Sequence, residues 1–395
     1  MNDHTLVKTD IIADTIFTKK ELYDVAIVGG GLAGLALAIQ LARLNYTVIL
    51  FEKEQYPFHK VCGEYISMES WPFLHSLGLN LKSMQLPMIK KLIVSSNQGK
   101  LLKHDLPLGG FGISRYLLDY ELEKIALSDG VTIRENTKVN DVVFNETGFA
   151  INTSQQNFHA KIVCGSFGKR SNLDIKWKRD FISTSKNSLN NFVGVKYHIK
   201  TNFPADTIAL HNFKNGYCGI VKIEDDKYNL CYLTNAVNLK KNDGQVNKME
   251  ENILSKNPHL EKIFRESEVL FASPLTISQI SFDKKKQVED HVLMIGDAAG
   301  MITPLCGNGM SMALLGSKLA AEQIHEFLKG NIERNVMEER YTEKWQKQFA
   351  TRLKMGRTIQ RMFNQSWLTN FLITSSKSFP GFIDYLVRQT HGKPF

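Results

Sequence analysis

The sequence predicts an α/β chain, α+β when taken whole, on three observations. Near the start an apolar strand, Tyr23 to Val28, runs into a glycine turn and an alanine- and leucine-rich helix. Between about Asn191 and Ile280 the pattern changes to short alternating segments, and from Ile332 onward it is helical and rich in aromatic and basic residues. Together these describe a Rossmann-like nucleotide-binding domain, an antiparallel-sheet domain and a helical C-terminal region.

The elements follow from their periods. Tyr23 to Val28 has the unbroken apolar run of a strand buried on both faces, Leu32 to about Leu44 follows as a helix, and Thr47 to Phe51 is a second strand that ends on Glu52 and Lys53. Pro57 to Tyr65 reads as a loop holding Cys62-Gly63-Glu64, followed by an amphipathic segment through Leu79 and a short strand, Lys91 to Ser95. Tyr116 to Leu127 has apolar residues at helical spacing, and Val131 to Arg134, Val139 to Phe144, Phe149 to Thr153 and Lys161 to Val163 read as short strands. Phe192 to Ile199, Thr207 to Phe213, Gly216 to Ile223 and Tyr228 to Thr234 alternate as antiparallel strands do. A buried strand, His291 to Ile295, then leads through a second glycine-rich turn into a helix from about Gly309 to Leu328. The chain of 395 residues is too long for one ordinary core. The expected division is discontinuous: 22–82, 113–180 and 281–330 for the nucleotide unit, 83–112 and 181–280 for the sheet domain, 331–395 for the helical region.

Gly29-Gly30-Gly31-Leu32-Ala33-Gly34 fits G-x-G-x-x-G, directly after an apolar strand and at the start of a helix. Gly29 permits the sharp turn, Gly31 lets backbone approach a pyrophosphate, and Gly34 lets the helix pack close to the strand. Unpaired N–H groups and the helix dipole favour phosphates there. Glu52 is placed to accept hydrogen bonds from the hydroxyls of an adenosine ribose, and an acid at that point disfavours a 2′-phosphate. Taken alone, the hexapeptide would also suit a glycine-rich turn of another α/β protein such as a methyltransferase; strand, helix, second strand and terminal acid in order point to nucleotide binding.

Composition bounds the rest. With 43% hydrophobic and 23% charged residues the chain is globular in character, and no window holds the roughly 18 apolar residues of a spanning helix. Residues 1–22 lack the pattern of a secretory signal, so a cytoplasmic location is expected, with peripheral contact to a membrane as a further option. Cys62, Cys164, Cys218, Cys231 and Cys306 are scattered singly, which predicts reduced thiols rather than a disulfide framework or a metal site. The formal charge of +9 favours anions such as nucleotide phosphates, an acidic carrier protein or an anionic lipid surface, or is simply a solvated basic surface. No nucleic-acid-binding signature is present, and nucleic acid is not an expected partner.

Downstream, His291-Val-Leu-Met-Ile-Gly-Asp-Ala-Ala-Gly300 sets Gly296 and Asp297 after a buried strand, and Met301-Ile-Thr-Pro-Leu-Cys-Gly-Asn-Gly-Met310 opens the next helix. With the first glycine turn, in that order, these segments resemble the flavoprotein family of aromatic-ring monooxygenases, geranylgeranyl reductases and flavin-dependent halogenases. Its FAD-binding fold is of the glutathione reductase and hydroxybenzoate hydroxylase type, and the geranylgeranyl reductase branch looks nearest. The resemblance implies FAD, with Gly29, Gly31, Leu32, Ala33, Gly34, Glu52 and Lys53 at its AMP half and Gly296 and Asp297 at the ribityl chain. Pro304, Gly307, Asn308, Gly309 and Met310 would then lie beside the isoalloxazine. The chemistry agrees: Asp297 can accept from ribityl hydroxyls, and the N–H groups of residues 307–309 can stabilise negative charge on a reduced flavin. Without the first signature Asp297 would read as a helix N-cap.

Further stretches look like the same family. Lys60-Val-Cys-Gly-Glu64 resembles the C-G-G or C-G-E loop that runs near the flavin, which adds Lys60, Cys62 and Gly63 to the cofactor set. Ser114-Arg115-Tyr-Leu-Leu-Asp119 resembles a helix start whose arginine, here Arg115, lies near FAD, and Val139 falls where a backbone group meets the adenine. Gly216 to Val221 with Tyr228 to Cys231 resembles the floor of the substrate pocket in the reductase branch. One stretch departs from the pattern: where ring hydroxylases carry an Asp-Gly pair, this chain reads Cys164-Gly-Ser-Phe-Gly-Lys-Arg-Ser171 and lacks the acid.

No second nucleotide turn is present, since Gly109-Gly-Phe-Gly112 lacks the spacing, and the C-x-x-x-x-C dithiol of disulfide reductases is absent. Electrons would come from NAD(P)H bound transiently or from a separate reductase. The expected function is an FAD-dependent oxidoreductase, a monooxygenase or carbon–carbon double-bond reductase, on a hydrophobic substrate such as an isoprenoid, quinone or polyketide. The alternatives are a flavin-dependent halogenase, for which Lys91 (with Lys90) would receive hypohalous acid, and a non-redox nucleotide-binding protein. No tryptophan-halogenase W-x-W-x-I-P motif occurs. Candidates for a catalytic role are Cys62, His59 and Lys91; each has a plain alternative as small-residue packing, an unpartnered histidine and a solvated edge. The aromatic and basic tail, with Phe349, Leu353, Ile359, Trp367, Phe371, Lys377 and Arg388, either packs on its own protein or meets a membrane surface or acyl-carrier protein.

Overall fold

The computed structural model describes residues 22–146, 148–183, 191–363 and 392–395. β1 (Leu22–Val28), α1 (Leu32–Arg43) and β2 (Val48–Phe51) form the opening βαβ unit, with Val25 opposite Val48 and Val28 opposite Phe51 in parallel register. β3 (Tyr65–Ser67), β4 (Met88–Ser95) and β5 (Leu101–Gly112) follow, then α2 (Arg115–Ser128), which starts on Ser114 because that hydroxyl accepts from the Leu117 N–H. β6 (Thr132–Arg134), β7 (Val139–Asn145), β8 (Gly148–Thr153) and β9 (Asn157–Gly165) come next. The middle of the chain supplies β10 (Phe192–Lys200), β11 (Thr207–Phe213), β12 (Gly216–Lys222), β13 (Tyr228–Asn235), β14 (Glu268–Val269) and β15 (Leu275–Ile280). β16 (Val288–Glu289) and β17 (Val292–Met294) precede two long helices, α3 (Gly309–Leu328) and α4 (Arg334–Phe363).

The strands make two sheets. The first has the order β16-β17-β9-β1-β2-β6, parallel from β17 to β6, with β8 antiparallel to β9 and β7 to β8. Residues 25–28 of β1 and the whole of β2 are buried, which is why these stretches read as continuous apolar runs. The second has the order β14-β10-β13-β12-β11-β4-β5-β3, with β15 also on β10.

Two features of the second sheet differ from the expectation of a plain antiparallel sheet. β11 lies parallel to β4, with Leu210 opposite Val94. The chain leaves β5 for the first sheet before it reaches β11, so no hairpin dictates their relative direction. β5 was not expected at all: Pro107 and three glycines interrupt its alternation, and pairing to β4 overrides the weak local preference. Residues 65–67 also pair into this sheet, through Tyr65 opposite Gly112.

α4 packs on α3 and the first sheet through a stripe of four-residue spacing. Met337, Tyr341, Trp345, Phe349 and Leu353 are buried, and the Tyr341 hydroxyl donates to the Met294 carbonyl at 2.6 Å. This part of the tail covers its own protein; Trp367, Phe371, Lys377 and Arg388 lie outside the described residues. Among the described residues no helix is long and apolar enough to cross a membrane.

Candidate functional site

The glycine turn is built as its spacing requires. Gly29 has φ of 106°, and a Cβ on it would stand 2.5 Å from the Ser166 carbonyl oxygen; one on Gly34 would collide with the Gly29 carbonyl. A Cβ on Gly31 would meet nothing nearer than Arg115 Nη2 at 3.7 Å and Lys60 Nζ at 3.9 Å. The start of α1 therefore opens onto space flanked by two cations, a cradle for a pyrophosphate. Leu32 and Ala33, on the first turn of α1, are buried.

Glu52 closes the same end of the sheet. Its carboxylate accepts from the N–H groups of Gly30 at 2.9 Å, Lys53 at 2.8 Å and Glu54 at 3.2 Å. The Lys53 side chain points outward beside Glu54. The Thr137 N–H donates to the Glu52 carbonyl at 2.9 Å, which brings the approach to Val139 alongside Glu52; the Val139 carbonyl accepts from Asn172 at 3.1 Å.

The two cations share one carboxylate. Arg115 meets Asp119 in a double contact, 2.7 Å at each, and Lys60 reaches the same side chain at 3.0 Å. Burial raises the Asp119 carboxyl, but Arg115 and then Lys60 outweigh it and hold the group below its ordinary value.

The second signature arrives at the same place. Gly296, with φ of 60°, brings its backbone against Ala33, where an added Cβ would be 3.1 Å from the Ala33 methyl. Burial pushes the Asp297 carboxyl up, opposed by Lys285, Arg115 and Lys169, so Asp297 lies in the field of the arginine that flanks Gly31. Lys285 donates to the Asp297 carbonyl at 2.7 Å, and burial pushes its amine down to about 8. A crevice between Asp297, Ile302, Gly309 and Met312 opens beside it. Pro304 starts a single turn that ends on Gly307, with φ of 68°, packed against the Tyr65 ring, and Asn308 is buried just before α3.

The Lys60–Glu64 loop joins these parts. The Cys62 sulfur lies 3.7 Å from the Met310 sulfur at the start of α3, its thiol pushed up by burial, and Gly63 faces open space. Glu64 is fully buried in a left-handed conformation, with φ of 54°. It accepts from Lys196, from His198 Nε2 at 2.7 Å and from the Arg115 N–H at 2.8 Å. Neither Lys196 nor His198 was singled out by the sequence. The available signal was two polar residues at i and i+2 in an otherwise apolar strand, and so on one face.

The three catalytic candidates do not converge. Cys62 lies at the loop described above. His59 sits among rings, stacked on Tyr116 at 4.5 Å and tilted against Phe271 at 4.8 Å, and burial followed by Lys196 pushes it down to about 4. Lys91 stands apart from both: it is on β4 in an ion pair with Asp206 at 2.9 Å, its side chain 57% exposed, where an irregularity between Ile89 and Lys91 leaves Lys90 and Lys91 both facing solvent. The segment that lacks the Asp-Gly acid packs directly on the glycine turn, Ser166 N–H donating to the Val28 carbonyl at 2.7 Å.

The open glycine cradle, its two cations and the half-buried Asp297 fit FAD in the order expected of its pyrophosphate and ribityl chain. The chain matches the family described as FAD binding domain over residues 22–353. Conditioned medium factor receptor 1 from Dictyostelium discoideum is 26% identical over 389 residues, covering 89% of this chain and 72% of that protein. Digeranylgeranylglycerophospholipid reductase from Methanococcus vannielii is 24% identical over 358 residues, covering 85% of this chain and 83% of its own. A solved flavin-dependent brominase superposes with a TM-score of 0.76 over 93% of each chain at 19% identity, a likeness of fold.

Proposed function

Because the chain belongs to the FAD binding domain family, we propose that it is an FAD-dependent oxidoreductase that reduces a carbon–carbon double bond of a hydrophobic small molecule, with monooxygenation of such a molecule as the related outcome. The convergence of Gly31, Arg115, Lys60 and Asp297 carries the cofactor assignment. Gly31 and the start of α1 hold the pyrophosphate, Arg115 and Lys60 neutralise it, Glu52 takes the ribose and Asp297 the ribityl chain. Bound FAD supplies two-electron transfer between a donor and the substrate.

The substrate class rests on the second sheet. Lys196, Cys231, Gly219 and Leu210 stand in one register row across β10, β13, β12 and β11, on the face toward the Lys60–Glu64 loop. Gly219, Leu210 and Cys231 are only half-buried, and so is Ile208 two residues from Leu210. This leaves an apolar floor with a bare glycine in its middle, suited to an isoprenoid, a quinone or a polyketide. NAD(P)H visiting the cleft, or a separate reductase, supplies electrons, and a membrane surface or acyl-carrier protein delivers the substrate. The solvent position of Lys91 speaks against halogenation through that residue.

The test is spectroscopic. The purified protein should show flavin bands or take up FAD, lose them on anaerobic addition of NADPH or NADH, and regain them when a polyprenyl substrate or menaquinone is added. A protein that takes up no FAD overturns the assignment. Bleaching by dithionite but not by nicotinamides moves the donor to a separate reductase, and halogenated pyrrole formed with bromide and oxygen replaces the reductase reading.

A further inference from the structure

The Lys60–Glu64 loop is gripped from the second sheet at three points. Lys196 Nζ donates to the Lys60 carbonyl at 3.1 Å and to the Glu64 carboxylate, and Asn229 donates to the Cys62 carbonyl at 3.1 Å. His198 takes the other Glu64 oxygen. Lys196 and Glu64 are both 0% exposed, so this ion pair is removed from water, where removal of one partner is far costlier than removal of both. The Arg115 N–H ties Glu64 to the arginine beside Gly31.

Resting on the FAD assignment above, we propose that Lys196 and Glu64 are positioning residues: strand β10 fixes the Cys62-Gly63 turn and sets the charge of the protein flanking the flavin. Among the described residues around this turn, Lys60, Arg115 and Lys196, with Lys285 and Lys169 beside Asp297, outnumber the carboxylates of Asp119, Glu64 and Asp297. The surplus of positive charge favours the reduced, more negative cofactor. Loss of Lys196 reduces that surplus and leaves the buried Glu64 without its ion-pair partner; loss of both charges restores the surplus.

Two measurements test this. In FAD-loaded protein, Lys196→Met should lower the reduction potential by about 30 mV or more, tenfold in the two-electron equilibrium. Glu64→Gln should raise it, and Glu64→Gln/Lys196→Met should return it close to the parent. In the protein without FAD, alkylation of Cys62 by iodoacetamide, followed on its own peptide by mass spectrometry, should speed up about tenfold in Lys196→Met and stay near the parent rate in Lys196→Arg. Unchanged potential and unchanged alkylation in Lys196→Met, or a double variant displaced as far as the single, overturn the proposal. If Lys196→Met does not fold, the opposite displacement of Glu64→Gln and the return in the double variant decide it. Failure of the parent to take up FAD would sink the cofactor assignment, while the alkylation rates still judge the clamp.

Discussion

The Arg115 guanidinium meets the Asp119 carboxylate through two contacts of 2.7 Å, one helical turn apart on α2, and Lys60 shares that carboxylate at 3.0 Å. Asp119 thus holds both cations in place beside Gly31. Arg115→Ala should weaken FAD binding at least tenfold, about 1.4 kcal/mol, because a charge-assisted contact to phosphate is lost. Asp119→Ala should cost about 1.5 to 3 kcal/mol of stability, since two half-buried cations lose their shared, buried partner. Flavin-fluorescence titration and denaturant unfolding measure these; an Arg115→Ala protein with parental affinity would remove the arginine from the site.

Glu52 has a double role, and the choice of substitution separates the two. Glu52→Ala strands the N–H groups of Gly30, Lys53 and Glu54 and so loses both stability and cofactor. Glu52→Gln keeps an acceptor for part of that set but gives up the charge toward the ribose. It should fold near the parental melting temperature and bind FAD about 1 to 3 kcal/mol more weakly. Unchanged FAD affinity in Glu52→Gln would show that the ribose lies elsewhere.

How much of this was legible depends on how local each feature is. The βαβ unit could be read because strand, Gly29 to Gly34, helix and Glu52 act within some thirty residues, and each glycine answers a local steric demand. β5 could not, because Pro107 and three glycines hide a strand that exists only through its pairing with β4. Glu64 was visible as part of a motif, but its meaning comes from Lys196 and His198, more than 130 residues away. Asp119 was within reach: an acid four residues after Arg115 on a helix is a spacing that pairs.

Lys91 offers a direct check on halogenation. Its ammonium pairs with Asp206 at the surface, and surface pairs of this kind contribute little to stability. Lys91→Ala should leave FAD affinity, flavin reduction and melting temperature at parental values. Loss of turnover in Lys91→Ala with an intact flavin spectrum would restore that lysine to the mechanism.

His211 sets a dependence of stability on pH. It lies buried in β11, bonded to the Ser95 hydroxyl at 2.9 Å and stacked on His259, and burial followed by His259 pushes it down to about 3. Its folded value lies below the unfolded value of about 6.5, so the unfolded chain takes up the proton first. The contribution is complete above pH 6.5 and fades as pH falls toward 3, by about 2 kcal/mol at pH 5. His211→Phe keeps the ring and removes the proton site. Urea unfolding at pH 7.5 and 5 should show a smaller loss on acidification for His211→Phe than for the parent; equal losses would place the titration elsewhere.

Gly31 and Gly34 are three residues apart and should respond in opposite ways. A Cβ on Gly34 runs into the Gly29 carbonyl and sits 3.1 Å from the Ser166 hydroxyl, so Gly34→Ala forces α1 away from the turn and should cost several kcal/mol or abolish folding. At Gly31 the added methyl points into open space between Arg115 and Lys60, at a backbone conformation any residue adopts, with φ of −81°. Gly31→Ala should therefore leave the FAD-free protein as stable as the parent, or up to about 1 kcal/mol more stable, through a less flexible unfolded chain. The same methyl occupies the space into which the pyrophosphate must come, so FAD binding should fall by tenfold or more. Thermal unfolding without FAD and fluorescence titration with it separate the two effects, and a Gly31→Ala protein that binds FAD like the parent would show that the phosphates do not approach the start of α1.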